Sequence, residues 1–230
     1  MKREITFFSI LVCAVLFTDC GISQTALNQL SQSEKDNGYE LLFNGSDLNN
    51  WTGNKEAYKV ENENILVDPK GGGSGGNLYS KSEYSDFVLK FEFNLTPGAN
   101  NGLGIHAPLE GDAAYLGKEI QILDNNHPKY EKIKSWQAHG SVYGVIAAKR
   151  GALLPAGEWN KEEVIVKGSL IKVIVNGTTI VDGDVLEASE NGTLSGRDHP
   201  GLLKTNGHIG FCGHGDEVRF RNIRIKSLAK

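Results

Sequence analysis

Polar side chains that could transfer protons or bind hydroxyl groups are concentrated around one short segment, EIQILD, which begins at Glu119. The segment predicts a β-strand in which Glu119 and Gln121 share one face, because strand side chains alternate between faces. Asp124 ends this strand, and His106 and His139 lie on the flanking segments. A carboxylate, an amide and imidazole rings in this arrangement indicate a polar cleft. The alternative is a solvated face whose polar residues have no chemical role.

The elements that must position these residues are predicted to be β-strands. Apolar residues between positions 87 and 95 recur with a strict period of two, which no helix produces. The Asn-Gly pair at 176–177 predicts a tight hairpin turn, because both residue types tolerate positive φ angles. The predicted strands cover residues 39–43, 65–67, 77–81, 86–95, 102–106, 119–124, 141–145, 164–167, 170–175, 178–181, 208–214 and 217–226. So many short strands indicate an all-β fold, a two-sheet jelly-roll sandwich.

Two connections, residues 125–138 and 182–206, are long for such a fold. Long loops on a rigid sandwich often carry functional residues. The first of them leads directly from Asp124 to His139, so we expect both loops to form the rims of the cleft. Insertions without a function are the alternative.

The first 25 residues have the features of an export signal rather than of a folded element. Lys2 and Arg3 precede an apolar run that is too short to span a membrane comfortably. Because Cys20 follows this run, we expect a bacterial lipoprotein signal cleaved before Cys20, with ordinary cleavage a few residues later as the alternative. The prediction is an exported protein of the periplasm or outer membrane, whose contact with a membrane is limited to a lipid on Cys20.

The remaining chain is predicted to consist of a linker, residues 26–38, and one catalytic domain, residues 39–230. A domain of this length can bury one sizeable core. A lipid on Cys20 would leave Cys212 without a partner, so the fold must rely on that core rather than on disulfides. The net charge is −4, and no basic stripe is present, which excludes nucleic acid as a partner.

Several short motifs, in order along the chain, resemble one protein family. They are LFNG at 42–45, EYSDF at 83–87, GKEIQILDN at 117–125, GSVY at 140–143, GEWN at 157–160 and GHIG at 207–210. From about residue 39 to residue 228 the chain is similar to the 3-keto-disaccharide hydrolase family. The resemblance implies a concanavalin-A-like lectin/glucanase jelly roll. Two positions depart from the family pattern, with His106 where many members carry Arg and Cys212 where Gln is more usual.

The resemblance implies cleavage of glycosides that have been oxidised to a ketone at sugar carbon 3. A carbonyl at C3 makes the proton on C2 acidic, so a modest base can remove it and form an enediolate. The substituent on C1 then leaves by elimination, and water can add later to complete a net hydrolysis. Such a site needs a base, an acid for the leaving group and donors for the C3 oxygen. Ordinary glycosidases instead use two paired carboxylates.

Roles in this chemistry can be assigned to the polar residues as hypotheses. His139 is the predicted base, since imidazole titrates near neutral pH; the alternative is that it only caps the loop before Gly140. Glu119 is predicted to act as the acid or to orient a histidine. Tyr143 is predicted to protonate the leaving group, with a core tyrosine as the alternative. Gln121 and Asp124 are expected to bind sugar hydroxyls.

The rim of the cleft is expected to include Trp136, stacked on a sugar ring, and the side chains of His106 and His214. No cofactor is established by these residues, and a divalent metal stays an open alternative, because it would stabilise an enediolate as a Lewis acid. The candidate ligands are His106, Glu119, Asp124 and His139. None of them has the close spacing that marks a zinc site in a sequence.

Two other functions remain open at this point. Jelly rolls of this shape also bind carbohydrate without altering it, so a non-catalytic carbohydrate-binding module is the second interpretation. A conventional glycosidase is the third, although the predicted strand carries Glu-x-Gln-x-x-Asp rather than two well-separated glutamates. In each case the expected partner is a small carbohydrate, for the leading interpretation an oxidised disaccharide or glycoside.

Overall fold

A computed structural model describes residues 26–68 and 76–228 of the protein, so the predicted signal peptide and Cys20 lie outside the described residues. The strands are β1 (Glu40–Leu41), β2 (Trp51–Gly53), β3 (Tyr58–Glu61), β4 (Asn64–Val67), β5 (Gly76–Tyr84), β6 (Phe87–Leu95), β7 (Asn100–Ala107), β8 (Lys118–Leu123), β9 (Trp159–Lys167), β10 (Leu170–Val175), β11 (Thr178–Asp184), β12 (Gly207–Gly213) and β13 (Val218–Ser227). Three short α-helices accompany them, α1 (Gln32–Asp36), α2 (Ala113–Leu116) and α3 (Val185–Ser189). None of the helices in the described ranges is long and apolar enough to cross a membrane.

The strands form two antiparallel sheets that pack face to face. The larger sheet has eight strands, in the order β11-β10-β9-β6-β13-β4-β3 with β1 added beside β13. The smaller sheet has five strands, in the order β2-β5-β12-β7-β8. This arrangement confirms the all-β jelly-roll sandwich that the sequence predicts. The predicted hairpin is also confirmed, since Asn176 and Gly177 connect β10 to β11 with φ angles of 49° and 82°.

The core between the sheets is built from the alternating apolar residues of the strands. Along β6 every second residue is buried, beginning with Phe87. Aromatic rings from both sheets meet in the centre, where Phe211 of β12 stacks on Phe220 of β13 with ring centroids 3.7 Å apart. Trp51 stacks on the same Phe211 ring at 5.6 Å. Each such side chain contributes about 1.5–3 kcal/mol by leaving water, and Cys212, the cysteine of the described residues, forms no disulfide there, so the core holds the sheets together.

One predicted strand is wrong. Residues 141–145 form a tight turn in which Val142 makes isolated bridges to Ile120 and Ile146. The valines and the tyrosine of this segment are typical of strands, but Gly144 adopts a φ of 74° that reverses the chain. The backbone still follows the edge of the smaller sheet, because the Tyr143 N–H donates to the Glu119 carbonyl at 2.8 Å. The short strands β2 and β3 were not expected from the sequence.

The segment predicted as a linker, residues 26–38, is fixed to the larger sheet. It contains α1, whose Ser31 and Glu34 form a capping box. Asn28 is buried, and it exchanges backbone-to-side-chain hydrogen bonds of 2.6 and 2.8 Å with Asn222 of β13. The Glu34 carboxylate also lies 2.6 Å from Nε of Arg224. This packing differs from the loose tether that the polar sequence suggests.

Candidate active site

A cleft of about 300 Å³ lies on the face of the smaller sheet that points away from the core. Its floor comes from β7 and β8, and its walls come from α2 and from the two long loops. The lining residues are Asn100, Asp112, Ala114, Tyr115, Glu119, Gln121, Leu123, Tyr130, Ile133, Gln137, Tyr143, Arg197 and His214. Both loops therefore contribute to the cleft, as the sequence predicts.

Glu119 lies at the bottom of this cleft and is almost completely buried. Only 6% of the residue is exposed, and its Oε1 has no hydrogen-bond partner among the described residues. Its carboxylate leans across β7 at Gly102, where any Cβ would collide with it. Burial raises the pKa of Glu119 above its ordinary value of 4.5. A carboxylate in this state is ready to accept a hydrogen bond from a ligand.

His214 faces Glu119 from the end of β12. Its Nε2 lies 3.8 Å from Glu119 Oε1, and 47% of its side chain is exposed to the cleft and solvent. The interaction with the Glu119 carboxylate raises the pKa of His214 above its ordinary value of 6.5, because a negative charge favours the imidazolium form. The pair thus combines a buried carboxylate with an accessible imidazole, the arrangement that many general bases use.

Two side-chain amides lie beside this pair. Gln121 Nε2 donates a hydrogen bond of 2.8 Å to Oδ1 of Asn100 on the neighbouring strand β7. An amide group carries two N–H bonds, so Gln121 retains a second donor, and Asn100 presents its own amide nitrogen. The two amides can therefore donate to an oxygen atom of a ligand on the cleft floor.

Three phenols form much of the wall. Tyr115 comes from α2, Tyr130 from the loop after β8, and Tyr143 from the turn beside β8. Trp136 does not line the cleft itself, but it packs edge-on against Tyr143 with ring centroids 5.1 Å apart. Burial raises the pKa of Tyr143 above its ordinary value of 10, so its hydroxyl keeps its proton in the neutral range.

Of the residues predicted from the sequence, the structure brings four together in the cleft: Glu119, Gln121, Tyr143 and His214. Three others, His106, Asp124 and His139, do not line it. Each of the three is buried and makes contacts that explain it as a structural residue.

His139 lies between the sheets rather than in the cleft. Its ring packs on Phe93 at 5.0 Å, its Nδ1 accepts a hydrogen bond from the Leu123 N–H, and its Nε2 lies 3.2 Å from Oε2 of the buried Glu162. Only 3% of the residue is exposed. The structure therefore does not support His139 as the base, because neither ring nitrogen is available to a substrate. The alternative structural role, at the loop before Gly140, agrees with this position.

His106 and Asp124 also hold the backbone. Nδ1 and Nε2 of His106 lie 2.9 and 2.8 Å from the carbonyl oxygens of Lys204 and Ser85, so both ring nitrogens are used. Asp124 Oδ2 accepts a hydrogen bond of 2.8 Å from the Gly98 N–H. The structure consequently does not support the predicted substrate-binding roles of these two residues.

The four candidate metal ligands do not converge. The ring nitrogens of His106 lie against the Lys204 and Ser85 carbonyl oxygens, whereas the ring of His139 packs on Phe93 between the sheets. Within the ranges 26–68 and 76–228, no three His, Cys, Asp or Glu side chains are grouped so that they could hold a metal ion. The predicted ligand set therefore does not fit a metal site.

Sequence reasoning missed several lining residues, above all Asn100, Asp112, Tyr115 and Arg197. Asp112 caps α2, where its Oδ1 accepts a hydrogen bond of 2.9 Å from the Ala114 N–H. An aspartate before a short apolar segment is a typical cap signal, but a helix of four residues has no readable periodicity. Arg197 belongs to a predicted rim loop, although nothing in the loop sequence distinguishes it.

Comparison with known proteins gives a consistent result. The model of a family described as the 3-keto-alpha-glucoside-1,2-lyase-like domain matches residues 38–226. A 3-keto-disaccharide hydrolase of Bacteroides thetaiotaomicron is 28% identical over 83% of this chain and 79% of its own length. A crystal structure of a Parabacteroides distasonis protein, provisionally named a glycosyl hydrolase, is 29% identical with a TM-score of 0.72, covering 84% of this chain and 100% of its own. A second such structure from the same organism has a TM-score of 0.77 at 24% identity, with coverages of 88% and 100%, and shows the shared fold.

Proposed function

Because this chain belongs to the 3-keto-alpha-glucoside-1,2-lyase-like family, we propose that it is an enzyme that cleaves glycosides carrying a ketone at carbon 3 of the sugar. The observation that carries the proposal is the pair of buried Glu119 and half-exposed His214 at the bottom of the cleft. The relative from Bacteroides thetaiotaomicron is named a 3-keto-disaccharide hydrolase. The cleft of this chain has groups that suit the same class of substrate.

His214 is the proposed base in place of His139. The neutral imidazole removes the proton from C2, whose acidity comes from the neighbouring C3 ketone. Glu119 then stabilises the imidazolium that forms, since its Oε1 lies 3.8 Å from Nε2. A carboxylate that orients a histidine and stabilises its imidazolium form raises the basicity of the histidine without itself reacting.

The electrons of the C2–H bond form a C2=C3 double bond, and the π electrons of the C3 carbonyl move to its oxygen, which gives an enediolate. Gln121 and Asn100 donate hydrogen bonds to this oxygen as its negative charge develops, and the free amide N–H groups that the two side chains retain beside their mutual hydrogen bond support this role. The enediolate then collapses, the C1–O bond breaks, and a C1=C2 double bond forms while the C3 ketone returns. Tyr143 supplies the proton that the leaving oxygen takes, and solvent or the imidazolium restores the phenol. Addition of water across the double bond completes a net hydrolysis.

The carboxylates of the cleft favour this elimination over a conventional glycosidase mechanism, which needs two carboxylates on opposite sides of the bond that breaks. Among the described residues that line the cleft, Asp112 is the only acidic residue besides Glu119. Its Oδ1 already accepts a hydrogen bond in the cap of α2. The histidine therefore takes the place of a second reactive carboxylate.

The site of action that fits this proposal is outside the cytoplasm, in the periplasm or at the outer membrane of a bacterium. The support for it is the basic and apolar leader of the sequence, with Cys20 as a lipid attachment position. Mass spectrometry of the protein recovered from its own cells would show the mature N-terminus and any lipid on it.

Incubation of the purified protein with 4-nitrophenyl 3-keto-glucoside and with the unoxidised parent glucoside tests the function. We expect nitrophenol release from the keto sugar alone, with a primary isotope effect when C2 carries deuterium. The variant His214→Ala should lose about 10²–10⁴-fold in kcat/KM, the range for a general base. Cleavage of the unoxidised parent would instead favour a conventional glycosidase. Binding of either sugar without turnover would favour a carbohydrate-binding module.

A further inference from the structure

Arg197 is a cation in the cleft that the proposed reaction does not use. Among the described residues that line the cleft, it is the only lysine or arginine, and its side chain is exposed. Its Nη1 donates a hydrogen bond of 2.9 Å to the Tyr115 hydroxyl, and its guanidinium carbon lies 6.0 Å from the centre of the Tyr115 ring. Within the described ranges no carboxylate lies within 4.0 Å of the guanidinium nitrogens, and four of its five N–H bonds remain available to a ligand.

The loop that carries Arg197 is held in place rather than free. The Arg197 carbonyl accepts a hydrogen bond of 2.7 Å from Thr193 Oγ1, and its N–H donates to Ser195 Oγ at 3.2 Å. Ser195 Oγ also lies 3.1 Å from Nε2 of the buried His199, whose Nδ1 lies 3.1 Å from the Ala114 carbonyl oxygen. The loop is thus fastened to α2, and the guanidinium is oriented before a ligand binds, which lowers the entropic cost of binding.

The loop that carries Arg197 contacts the turn that carries Tyr143. The Ser195 N–H donates a hydrogen bond of 3.0 Å to the Gly144 carbonyl, and both Arg197 and Tyr143 line the cleft. Because Tyr143 is the proposed proton donor to the leaving oxygen, the part of the substrate beyond that oxygen lies nearest to Arg197.

We propose that Arg197 binds a carboxylate on the leaving group, so that the preferred substrates are 3-keto-glycosides with an acidic aglycone. The planar guanidinium forms two parallel hydrogen bonds with a carboxylate, a geometry that a lysine does not reproduce. This inference rests on the proposed function, since it places the aglycone by the role of Tyr143. Arg197 is a specificity-determining residue in this scheme, whereas Glu119 and His214 act on the sugar.

Two 3-keto-glucosides that differ only at the far end of the aglycone test the proposal, one made from 4-hydroxybenzoate and one from 4-hydroxybenzamide. The wild-type protein should prefer the carboxylate. In Arg197→Gln the ratio of the two kcat/KM values should fall about tenfold or more, the size of one charge-assisted hydrogen bond, while kcat/KM for the carboxamide changes less than about twofold. Arg197→Lys should restore part of the preference. Arg150→Gln, an exposed arginine outside the cleft lining, should leave the ratio unchanged.

Two outcomes overturn the proposal. If Arg197→Gln slows both substrates equally, Arg197 acts on the reaction and not on the aglycone. If neither kcat/KM value changes in Arg197→Gln, Arg197 does not contact the aglycone. If the wild-type protein turns over neither substrate, the proposed function fails. The dissociation constants of the two glucosides, compared between wild type and Arg197→Gln, then still show whether Arg197 selects the carboxylate.

Discussion

Two histidines that look alike in the sequence, His139 and His214, lie in opposite environments. His139 is buried between the sheets, where Nδ1 accepts a hydrogen bond and Nε2 lies 3.2 Å from the Glu162 carboxylate, while His214 is half exposed and faces a buried carboxylate. The position after His139 requires glycine, because Gly140 has a φ of 78° and a Cβ there would collide with Ile180. Residue type alone therefore does not distinguish a structural histidine from the proposed base; the two differ in the face on which the ring lies.

The substitution His139→Ala should reduce stability. It leaves the Leu123 N–H without its acceptor in the core, which costs about 1–3 kcal/mol in the free energy of unfolding. Urea unfolding followed by tryptophan fluorescence measures this, with His214→Ala as the matched control, expected within about 0.5 kcal/mol of wild type because its ring is half exposed. A His139→Ala protein that is fully stable but inactive would return His139 to the role of base.

The pH dependence of kcat/KM should report the interaction between His214 and Glu119. The base works in its neutral form, and Glu119 raises the pKa of His214, so activity should increase with pH through a midpoint above 6.5. Glu119→Gln removes the charge that stabilises the imidazolium, so the midpoint should move to lower pH. The measurement is the initial rate at low substrate concentration between pH 5 and 9. A midpoint that does not move in Glu119→Gln would mean that the two groups are not coupled.

At the scale of elements, the site depends on two glycines of β7 that leave space above the smaller sheet. Glu119 of β8 can lean across β7 only because Gly102 has no side chain. The neighbouring Gly104 lies between Ala113 of α2 and Cys212 of β12, so the absence of a side chain at Gly104 also lets α2 pack over the sheet. The two glycines thus make room on the sheet for the carboxylate and for the helix that carries Tyr115.

Gly102→Ala should displace the Glu119 carboxylate and lower kcat/KM by at least about tenfold, because the proposed base His214 loses its partner. The matched control is Gly183→Ala on β11, where the nearest atom to a new Cβ is Ile146 Cδ1 at 3.2 Å, away from the cleft. Activity and thermal unfolding are measured for both variants. Equal activity in the two variants would show that the position of the Glu119 carboxylate does not matter for the reaction.

The sequence predicts elements well where the pattern is local and strong. The alternation along β6 and the Asn-Gly turn depend only on neighbouring residues, and both are confirmed. The face shared by Glu119 and Gln121 follows from the same alternation, so this part of the cleft was predictable. Residues 141–145 were not, because one glycine turned a strand-like segment into a turn. Arg197 reaches the cleft through contacts between distant segments, which no local pattern encodes.

For the whole molecule, the relation between the N-terminal segment and the sandwich decides where the folded unit begins. Polar composition suggests a linker for residues 26–38, but burial of Asn28 and the contact of Glu34 with Arg224 attach the segment to β13. None of these residues lines the catalytic cleft, which lies on the smaller sheet. The segment should therefore support stability without taking part in catalysis.

A chain that begins at residue 39 should consequently be less stable than one that begins at residue 26. Loss of Asn28 leaves the Asn222 N–H and the Asn222 side chain without their partners, which costs about 1–3 kcal/mol. Thermal unfolding of the two chains measures the difference, and kcat/KM well below the melting temperature should be the same in both. Identical melting would show that residues 26–38 act as a linker after all. A loss of activity at equal stability would instead connect this segment to the cleft, which the position of β13 in the opposite sheet argues against.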